Sequence, residues 1–445
     1  MSSKSFIFYV VFVGSLGGLL FGFDTAVISG AEKAIQAFYV LSNTMLGFTI
    51  AVALFGTVVG ALFCARPVDR YGRKPILIVI ALLYLISALG CAAAHNWYSF
   101  IIMRFLGGLA VGASSVAGPL YIAEISPSQW RGRFVAFFQF NIVLGIVLAY
   151  FSNYYISSLG IADDWRIMLG VMAVPALLFA VLLFTIPESP RWLMKQGSDK
   201  KASEVFQRIG EQNVEHQMHE IRESLRDSVK GVSERLFQRK YIRPILYAFL
   251  IATFNQLSGI NAILYYAPRI FETAGIMRDS ALMQSILIGL TNLTFTMIAM
   301  VIIDKVGRRR LLLFGSVGMV ISLAMVAVGY YTGVTAKYYM LICLVGFIAF
   351  FAMSLGATIW VLISEVFPTS VRSKGQVFGS MTHWLWSAIL SWIFPVIVSS
   401  GGPMGGTYIF GFFAVAMALN FFFAWKILPE TKNKSLEELQ KTLTE

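Results

Sequence analysis

The chain has 445 residues, of which 57% are hydrophobic and only 13% are charged, and its formal net charge is +12. Because soluble globular domains carry about 25% charged residues, this composition excludes an ordinary soluble fold. Apolar runs recur at close to the roughly 20 residues that one helical crossing of a bilayer needs, which predicts a polytopic α-helical membrane protein. In such a protein the positive charge indicates loop orientation, and we expect no nucleic-acid partner.

Twelve apolar segments follow one another along the chain and are interpreted as membrane spans. They lie near residues 6–30, 44–66, 75–94, 98–120, 133–157, 166–187, 245–270, 281–303, 311–331, 338–362, 375–399 and 407–428. The first run is longer than a signal peptide's apolar region and is expected to be retained. Residues 190–243 are too polar to span, but their apolar residues recur at helical spacing, which predicts short amphipathic cytoplasmic helices.

The expected fold is an all-α membrane protein with twelve transmembrane helices in two pseudo-symmetric six-helix bundles. The predicted bundles are 1–189 and 244–430, joined by the linker 190–243 and followed by a cytoplasmic tail, 431–445. Lys and Arg gather in alternate loops, including 66–74, 131–133 and 305–310, and in the linker and the tail. The positive-inside rule therefore places both termini in the cytoplasm of a multi-pass protein of the inner (plasma) membrane.

Three motifs of the first half recur in the second, each after the corresponding span. Asp69-Arg-Tyr-Gly-Arg-Lys74 matches Asp304-Lys-Val-Gly-Arg-Arg309, and Glu124 with Arg131 matches Glu365 with Arg372. Pro187-Glu188 matches Pro429-Glu430. Matches at nearly one offset indicate two related parallel halves, for which a substrate site near the bilayer midplane, between the halves, is expected.

These repeated motifs, together with PESPRWL at 187–193 and PETK at 429–432, resemble the sugar porter family of the major facilitator superfamily over essentially the whole chain. Segments 16–30, 260–268 and 290–296 are most similar to bacterial proton-coupled members of that family. The resemblance implies import of a monosaccharide by proton symport through alternating access. We expect the partners to be a sugar, a proton and the lipid bilayer, and the chain to be a monomer with no enzymatic activity, cofactor or metal.

Two charged residues lie inside predicted spans, Asp24 in the first and Arg104 in the fourth. A charge near the bilayer centre costs about 2.5–3.5 kcal/mol on insertion scales, so such residues are rarely without function. A nearby Arg104 favours the ionised form of Asp24, and its withdrawal would favour proton uptake. In proton-coupled sugar porters an Asp stands at the matching position, so the resemblance implies symport. A permanently locked structural pair is the alternative.

A sugar is uncharged and rich in hydroxyl groups, so its site needs amide groups for hydrogen bonds and flat apolar faces for the ring. The predicted sugar-binding residues, several of which match the family's sugar contacts, are Phe21, Gln139, Asn255, Gln256, Asn261, Tyr265, Tyr266, Asn292, Trp360, His383 and Trp384. Of these, Phe21, Tyr265 and Tyr266 are expected to close the outer side. Gly259 is expected to break or bend span seven.

The chain departs from the family's pattern at three places. Asn255 stands where bacterial proton-coupled members have a glutamine, and His383 stands where the family commonly has an amide. Span ten reads Gly356-Ala-Thr-Ile-Trp360, without the family's proline after the glycine. The first two departures leave the identity of the sugar open. The third removes the proline that usually allows span ten to flex in this family, so the flexing of this span is left open too. His383 is interpreted equally as a ligand or as a packed interior histidine.

Charged residues of the repeated loops are predicted to act as cytoplasmic gates, holding the halves together when the outside is open. They are Asp69, Arg73, Glu124, Arg131, Asp304, Arg308, Glu365 and Arg372. Asp69 with Arg73 and Asp304 with Arg308 are expected to pair with neighbouring helix ends. Glu124 with Arg131 and Glu365 with Arg372 are expected to bridge that side. The alternative is that these charges only anchor and orient the loops.

Several other functions fit the sequence less well. No phosphate-binding loop of an ATP-driven pump and no selectivity-filter motif of a channel occurs. A passive sugar or polyol (inositol-like) facilitator and a non-transporting sugar sensor remain alternatives. A drug exporter of the same architecture would be expected to carry more intramembrane acids. His216 and His219 lie one turn apart, but two ligands without a third are interpreted as a solvated helix face.

Overall fold

The computed structural model describes residues 3–127, 129–211, 213–230, 235–333, 338–368, 371–430 and 432. Within these ranges all regular structure is helical. Twelve stretches of the described chain are long and apolar enough to cross a membrane, which confirms the predicted number of spans. The predicted tail 431–445 lies outside the described residues except for Lys432.

The first six spans are built from seven helices, because the sixth span is divided into α6 and α7. Their bounds are α1 Ser3–Phe38, α2 Asn43–Tyr71, α3 Arg73–Ala93, α4 Trp97–Ile125, α5 Arg131–Ser158, α6 Asp164–Gly170 and α7 Ala173–Leu183. Three of these helices, α1, α2 and α4, extend several residues beyond the predicted apolar segments. The ends of these helices include polar residues that continue the helix but add nothing to the hydropathy. At the start of α4, the Asn96 side chain caps the helix by accepting a 2.8 Å hydrogen bond from the Ser99 N–H.

Three short helices follow in the linker, α8 Pro190–Lys195, α9 Asp199–Ile209 and α10 Val214–Lys230. On α9 the predicted apolar face is confirmed, since Ala202, Phe206 and Ile209 are buried. Met218 of α10 is buried as well. The side chain of Leu225, part of the predicted pattern, lies outside the described ones.

The last six spans are built from α11 Ile242–Leu257, α12 Ile260–Thr273, α13 Arg278–Val306, α14 Arg308–Thr332, α15 Tyr339–Phe351, α16 Ala357–Glu365, α17 Arg372–Ser400 and α18 Gly405–Lys426. Span seven is divided between α11 and α12, and span ten between α15 and α16. Short 3₁₀ turns, Arg239–Tyr241 and Gly402–Met404, precede α11 and α18.

Span seven breaks at Gly259, as predicted. Gly259 has a φ of +84°, a left-handed conformation that side chains with a Cβ rarely adopt, and a Cβ there would also collide with the ring of Phe413. A second irregularity follows at Tyr266, whose φ of −120° and ψ of 16° are not helical. The span is therefore irregular where its polar side chains are concentrated.

Span ten is also irregular, although it lacks the family's proline. Residues Ala352–Gly356 form a π-helical turn between α15 and α16. Single π-helical turns within a helix change the direction of its carbonyl groups and are frequent at functional sites. The turn occupies the residues directly before the position of the missing proline, so a different backbone feature interrupts the same region.

Contacts between Cα atoms divide the chain into two compact units. The first consists of Met1–Asp24, Gly56–Ile146 and Leu169–Val232, and the second of Thr25–Phe55, Val147–Met168 and Ser233–Glu445. In the first unit α1 and α5 approach closely, because Gly22 packs directly against the carbonyl group of Ile142. The second unit contains segments of both predicted halves, and the predicted bundle boundaries remain a prediction.

Candidate functional site

The two intramembrane charges of the first unit form an ion pair. Arg104 Nη1 donates a 2.8 Å hydrogen bond to Asp24 Oδ1, and the two side chains are only 2% and 5% exposed. Asp24 lies on α1 and Arg104 on α4, so the predicted proton-coupling residues are brought together. A buried pair of this kind keeps each charge tolerable, and removing one partner leaves the other uncompensated.

Polar groups on α3 and α4 surround this ion pair. Tyr84 is fully buried and interacts electrostatically with Asp24. Ser87 donates a 2.8 Å hydrogen bond to the carbonyl oxygen of Met103, the residue before Arg104. Gly107 leaves the space between Ser87 and Asp24 free of a side chain, since a Cβ there would lie against both. Tyr84, Ser87 and Gly107 therefore give the ion pair polar surroundings without adding a further charged group.

In the second unit, amide side chains of span seven form one hydrogen-bonded network with span eleven. Gln256 Nε2 donates to Asn255 Oδ1 at 3.1 Å and lies 3.2 Å from the His383 ring nitrogens. Asn261 Nδ2 donates to Gln256 Oε1 at 2.8 Å and to Ser387 Oγ at 2.6 Å. The break at Gly259 allows Gln256 and Asn261, on either side of it, to meet. Four predicted sugar-binding residues are thus brought together.

Aromatic faces flank this amide network. The rings of Trp360 and Trp384 each lie 4.9 Å, centroid to centroid, from the ring of His383. Trp384 is 7% exposed, whereas Trp360 is 40% exposed. An indole face beside a group of neutral amides can pack against a sugar ring whose hydroxyl groups bond to the amides. The arrangement therefore suits an uncharged, hydroxyl-rich ligand.

The other predicted sugar-binding residues are placed differently. Tyr266 is fully buried and donates a 2.9 Å hydrogen bond to the carbonyl oxygen of Ser391, so its hydroxyl group is already engaged. Asn292 is 6% exposed and lies on α13, where Thr296 Oγ1 is 3.5 Å from its Oδ1. Tyr265 is buried on α12. Phe21 and Gln139 are partly buried and belong to the first unit.

A second cluster lies at the basic-loop end of the first unit. Arg73 binds Glu124 through two hydrogen bonds, from Nε to Oε2 at 2.7 Å and from Nη2 to Oε1 at 2.8 Å. Asp69 Oδ1 lies 3.4 Å from Arg73 Nη2. Ser189 Oγ donates to Glu124 Oε2 at 2.5 Å. Glu124 therefore pairs with Arg73, whose guanidinium reaches the carboxylate from the start of span three. The bridge expected between Glu124 and Arg131 remains a prediction.

The second unit repeats this arrangement. Arg308 Nη1 donates to Asp304 Oδ1 at 2.9 Å, and its Nη2 donates to Glu365 Oε1 at 3.1 Å. The Nε of Arg372 donates to the carbonyl oxygen of Phe367 at 3.4 Å. Glu365 thus pairs with Arg308, as Glu124 pairs with Arg73 in the first unit. The bridge expected between Glu365 and Arg372 remains a prediction. The sequence repeat is confirmed as a repeat of side-chain contacts.

Two further carboxylates of the repeat were not predicted as site residues. Glu188 Oε1 accepts a 3.1 Å hydrogen bond from the Arg73 N–H at the start of α3, and Glu430 Oε1 accepts a 3.1 Å hydrogen bond from the Arg308 N–H at the start of α14. Burial raises the pKa of the Glu188 carboxyl, although neighbouring backbone N–H donors lower it. The repeated Pro-Glu dipeptide was the sequence signal that marked both residues.

Ser387 of the amide network was also missed. A serine in an apolar span carries little signal by itself, because most such hydroxyl groups bond to their own helix. Its position one helical turn after His383 was the available indication, since residues four apart share a helix face. Glu32 and Arg269 were missed as well, because Glu32 adjoins Lys33 past the end of the first apolar segment and Arg269 directly follows the segment 260–268.

Comparison with known proteins shows the family. Residues 10–443 match the family described as "Sugar (and other) transporter". The chain is 37% identical to the D-xylose-proton symporter of Escherichia coli (strain K12), over 98% of this chain and 96% of that protein. It is also 37% identical to the arabinose-proton symporter of Bacillus subtilis (strain 168), over 99% and 95% of the two chains.

Solved structures give the same result. An inward-open structure of the xylose transporter XylE from E. coli is similar with a TM-score of 0.87 and 35% identity, covering 98% of this chain and 100% of that one. XylE bound to 6-bromo-6-deoxy-D-glucose is similar with a TM-score of 0.82 and 36% identity, covering 99% and 100%. With twelve helical spans, the repeated loop contacts and these matches over nearly its full length, the chain belongs to the sugar (and other) transporter family of the major facilitator superfamily.

Proposed function

We propose that this chain imports a monosaccharide together with a proton, by alternating access, across the inner (plasma) membrane. Both termini lie in the cytoplasm, where the basic loops are found. The observation that carries the proposal is the buried ion pair of Asp24 and Arg104, 2.8 Å apart in helices of the first half. An acid in a membrane span is held ionised by an arginine that cannot lose its proton, and withdrawal of the arginine during the cycle favours proton uptake by the acid.

The amide network supports a sugar as the substrate. Asn255, Gln256, Asn261 and His383 present neutral donors and acceptors, and a neutral ligand is expected because these four groups include no acid or permanent cation. Trp360 is exposed beside them and supplies a face for the ring. Gln139, Asn292 and Trp384 are proposed to complete the site, and Phe21, Tyr265 and Tyr266 to close its outer side.

The names of the relatives support the substrate class. Two relatives, each 37% identical over at least 98% of this chain, are named for the symport of a pentose with a proton. A pentose is therefore the first sugar to test. Asn255 and His383 differ from the residues expected at their positions. We propose that these two residues determine which pentose, hexose or polyol the chain prefers.

The cytoplasmic clusters are proposed to act in gating. In each half an arginine at the end of one span binds a glutamate at the end of another, Arg73 with Glu124 and Arg308 with Glu365. Such pairs give each half a charged, defined cytoplasmic edge. We propose that Asp69, Arg131, Asp304 and Arg372 join these edges when the outside is open and separate when the inside opens.

Uptake by proteoliposomes tests the proposed function. The purified full-length chain is reconstituted, and labelled pentoses, hexoses and inositol are offered with and without an inwardly directed proton gradient. We expect one monosaccharide to accumulate above its external concentration only when the gradient is present. Uptake that never exceeds equilibration would identify a passive facilitator, and saturable binding without uptake would identify a sensor. Either result would overturn proton-coupled import.

A further inference from the structure

A further buried ion pair lies in the second unit, at the end of the spans away from the basic loops, which we call the outer end. Arg269 Nε donates a 2.7 Å hydrogen bond to Glu32 Oε1, and Arg269 Nη2 lies 2.7 Å from Glu32 Oε2. The same Nη2 donates to Gln36 Oε1 at 2.6 Å. The side chains of Glu32 and Arg269 are 2% and 14% exposed, so both charges are largely removed from solvent.

This pair joins two spans of different predicted halves. Glu32 and Gln36 belong to α1, in the first half, and Arg269 belongs to α12, in the second. The pair of Asp24 and Arg104 differs in this respect, because both of its members lie in the first half. A rocking motion between the halves moves Glu32 away from Arg269. The same motion does not by itself separate Asp24 from Arg104, whose distance changes only when the first half rearranges internally.

Other hydrogen bonds connect spans of the two predicted halves toward the outer end. Tyr150 donates a 2.7 Å hydrogen bond from its hydroxyl group to the carbonyl oxygen of Leu264, within the second unit. Trp392 Nε1 donates to the carbonyl oxygen of Thr44 at 3.1 Å. These bonds involve neutral groups, whereas Glu32 and Arg269 bring opposite charges together. Two more exposed ion pairs lie at this end, Lys33 with Glu272 and Arg278 with Asp164, so Glu32 and Arg269 differ from them in being largely buried.

We propose that Glu32 and Arg269 form an outer latch, a charged contact that stabilises the outward-closed state and breaks each time a sugar enters from outside. Both partners of the latch are desolvated in the closed state, so loss of one partner leaves a buried, uncompensated charge. Opening the outer end returns that remaining charge to water. Removal of a single partner therefore destabilises the closed state and shifts the population toward the outward-open state. The inference rests on the alternating-access cycle proposed above.

The structure supplies a matched control one residue away. Lys33 and Glu272 form an ion pair between the same two helices, but Lys33 is 45% exposed. Exposed pairs contribute little to stability because water and salt screen them. Lys33→Gln and Glu32→Gln thus each remove one charge from the same contact between α1 and α12, but only Glu32→Gln removes it from a buried position.

A distance measurement between spin labels tests the outer latch. Val40, 87% exposed after α1, and Met277, 76% exposed before α13, are replaced by cysteine for labelling. The buried Cys64, Cys91 and Cys343 are replaced by alanine in the same reconstituted full chain. We expect Glu32→Gln to raise the long-distance population roughly tenfold, and Lys33→Gln to change it less than about twofold. The charge-exchanged chain E32R/R269E should return it toward the parent value.

Distances in Glu32→Gln that match those of the parent would overturn the outer latch. If that variant does not give a monodisperse protein, the double variant E32Q/R269Q replaces it. This variant leaves no charge buried at the contact but also lacks the latch, and a parent-like distance distribution in it would overturn the proposal equally. Because the measurement records a distance and not uptake, a chain that transports no sugar would contradict the proposed function while leaving the result of this test intact.

Discussion

Asn255 Nδ2 donates a 3.1 Å hydrogen bond to the main-chain carbonyl oxygen of Leu355, which lies in the π-helical turn of span ten. Both partners are buried. Two departures from the family's pattern therefore meet in one contact, the shorter amide of span seven and the span-ten segment without proline. A carbonyl group turned out of the regular helix in a π-helical turn can accept a bond from a neighbouring side chain. Asn255 thus connects the amide network directly to the irregular part of span ten.

Replacing Asn255 with alanine should destabilise the protein by about 1–3 kcal/mol, because the Leu355 carbonyl group would remain buried without this donor. The midpoint of thermal unfolding in detergent, compared with that of the parent chain, measures the loss. Thr253→Val, two residues earlier on α11, is the matched control, since Thr253 Oγ1 is buried without a hydrogen-bond partner among the described residues. Equal midpoints for Asn255→Ala and Thr253→Val would contradict the importance of this bond.

Replacing Asp24 with asparagine should abolish accumulation of sugar against its gradient and leave exchange of sugar across the membrane intact. Asparagine retains an oxygen that can accept the 2.8 Å hydrogen bond from Arg104, so the local structure should persist, but it cannot bind and release a proton. Uptake driven by a proton gradient and counterflow in proteoliposomes are the two measurements.

The control for this experiment is Ser87→Ala. Ser87 lies beside the same ion pair and is uncharged, so its loss should leave both uphill uptake and counterflow within about twofold of the parent values. Undiminished uphill uptake by Asp24→Asn would show that the proton is carried elsewhere.

Replacing His383 with glutamine should change which sugar is preferred without uncoupling transport from the proton. Glutamine places an amide beside Gln256 but removes the ring that lies 4.9 Å from Trp360 and Trp384. Loss or gain of one hydrogen bond to a neutral ligand corresponds to about 0.5–1.5 kcal/mol, or roughly two- to thirteenfold in affinity. Competition by a panel of unlabelled sugars measures this change in relative affinity. Ser391→Ala, two turns along α17, is the control. An unchanged order of preference would identify His383 as a packed interior residue.

Replacing Arg73 with glutamine should destabilise the protein more than replacing Arg308 with glutamine. Glu124, the partner of Arg73, is 7% exposed, whereas Glu365, the partner of Arg308, is 21% exposed. A carboxylate left buried without its partner costs about 3–5 kcal/mol, and the cost decreases as water reaches it. The two variants are controls for each other, since they change equivalent positions of the repeat. Equal losses in the midpoint of thermal unfolding would contradict the role of burial.

The number and order of the spans could be predicted from hydropathy, because a bilayer imposes one length on every crossing helix. Helix ends could not, since α2 continues to Tyr71 and α5 begins at Arg131 through polar residues that hydropathy assigns to loops. The break at Gly259 was predictable from the residue type. The π-helical turn at Ala352–Gly356 was not, because no residue in it carries a recognised signal for that backbone shape.

The residue types of the site could also be predicted, but their partners could not. Gln256 and Asn261 were expected to bind sugar, and the structure places them in one network with His383. Glu124 was expected to bridge to Arg131, seven residues later, and its pairing with Arg73, 51 residues earlier, was not foreseen. Pairing across helices depends on how the helices pack, and a single sequence with no alignment carries little information on packing.

The carboxylates of Glu188 and Glu430 each accept hydrogen bonds from the N–H groups that begin a helix far earlier in the chain, α3 and α14 respectively. Each acceptor follows the sixth span of its own half. During synthesis, the first N–H groups of α3 therefore lack this acceptor until the ribosome has passed residue 188. Those of α14 lack theirs until the ribosome has passed residue 430. Each predicted half completes its own basic-loop end only at the end of its own translation. Assembly of these two ends in the nascent protein should accordingly proceed in two separate steps, one for each predicted half.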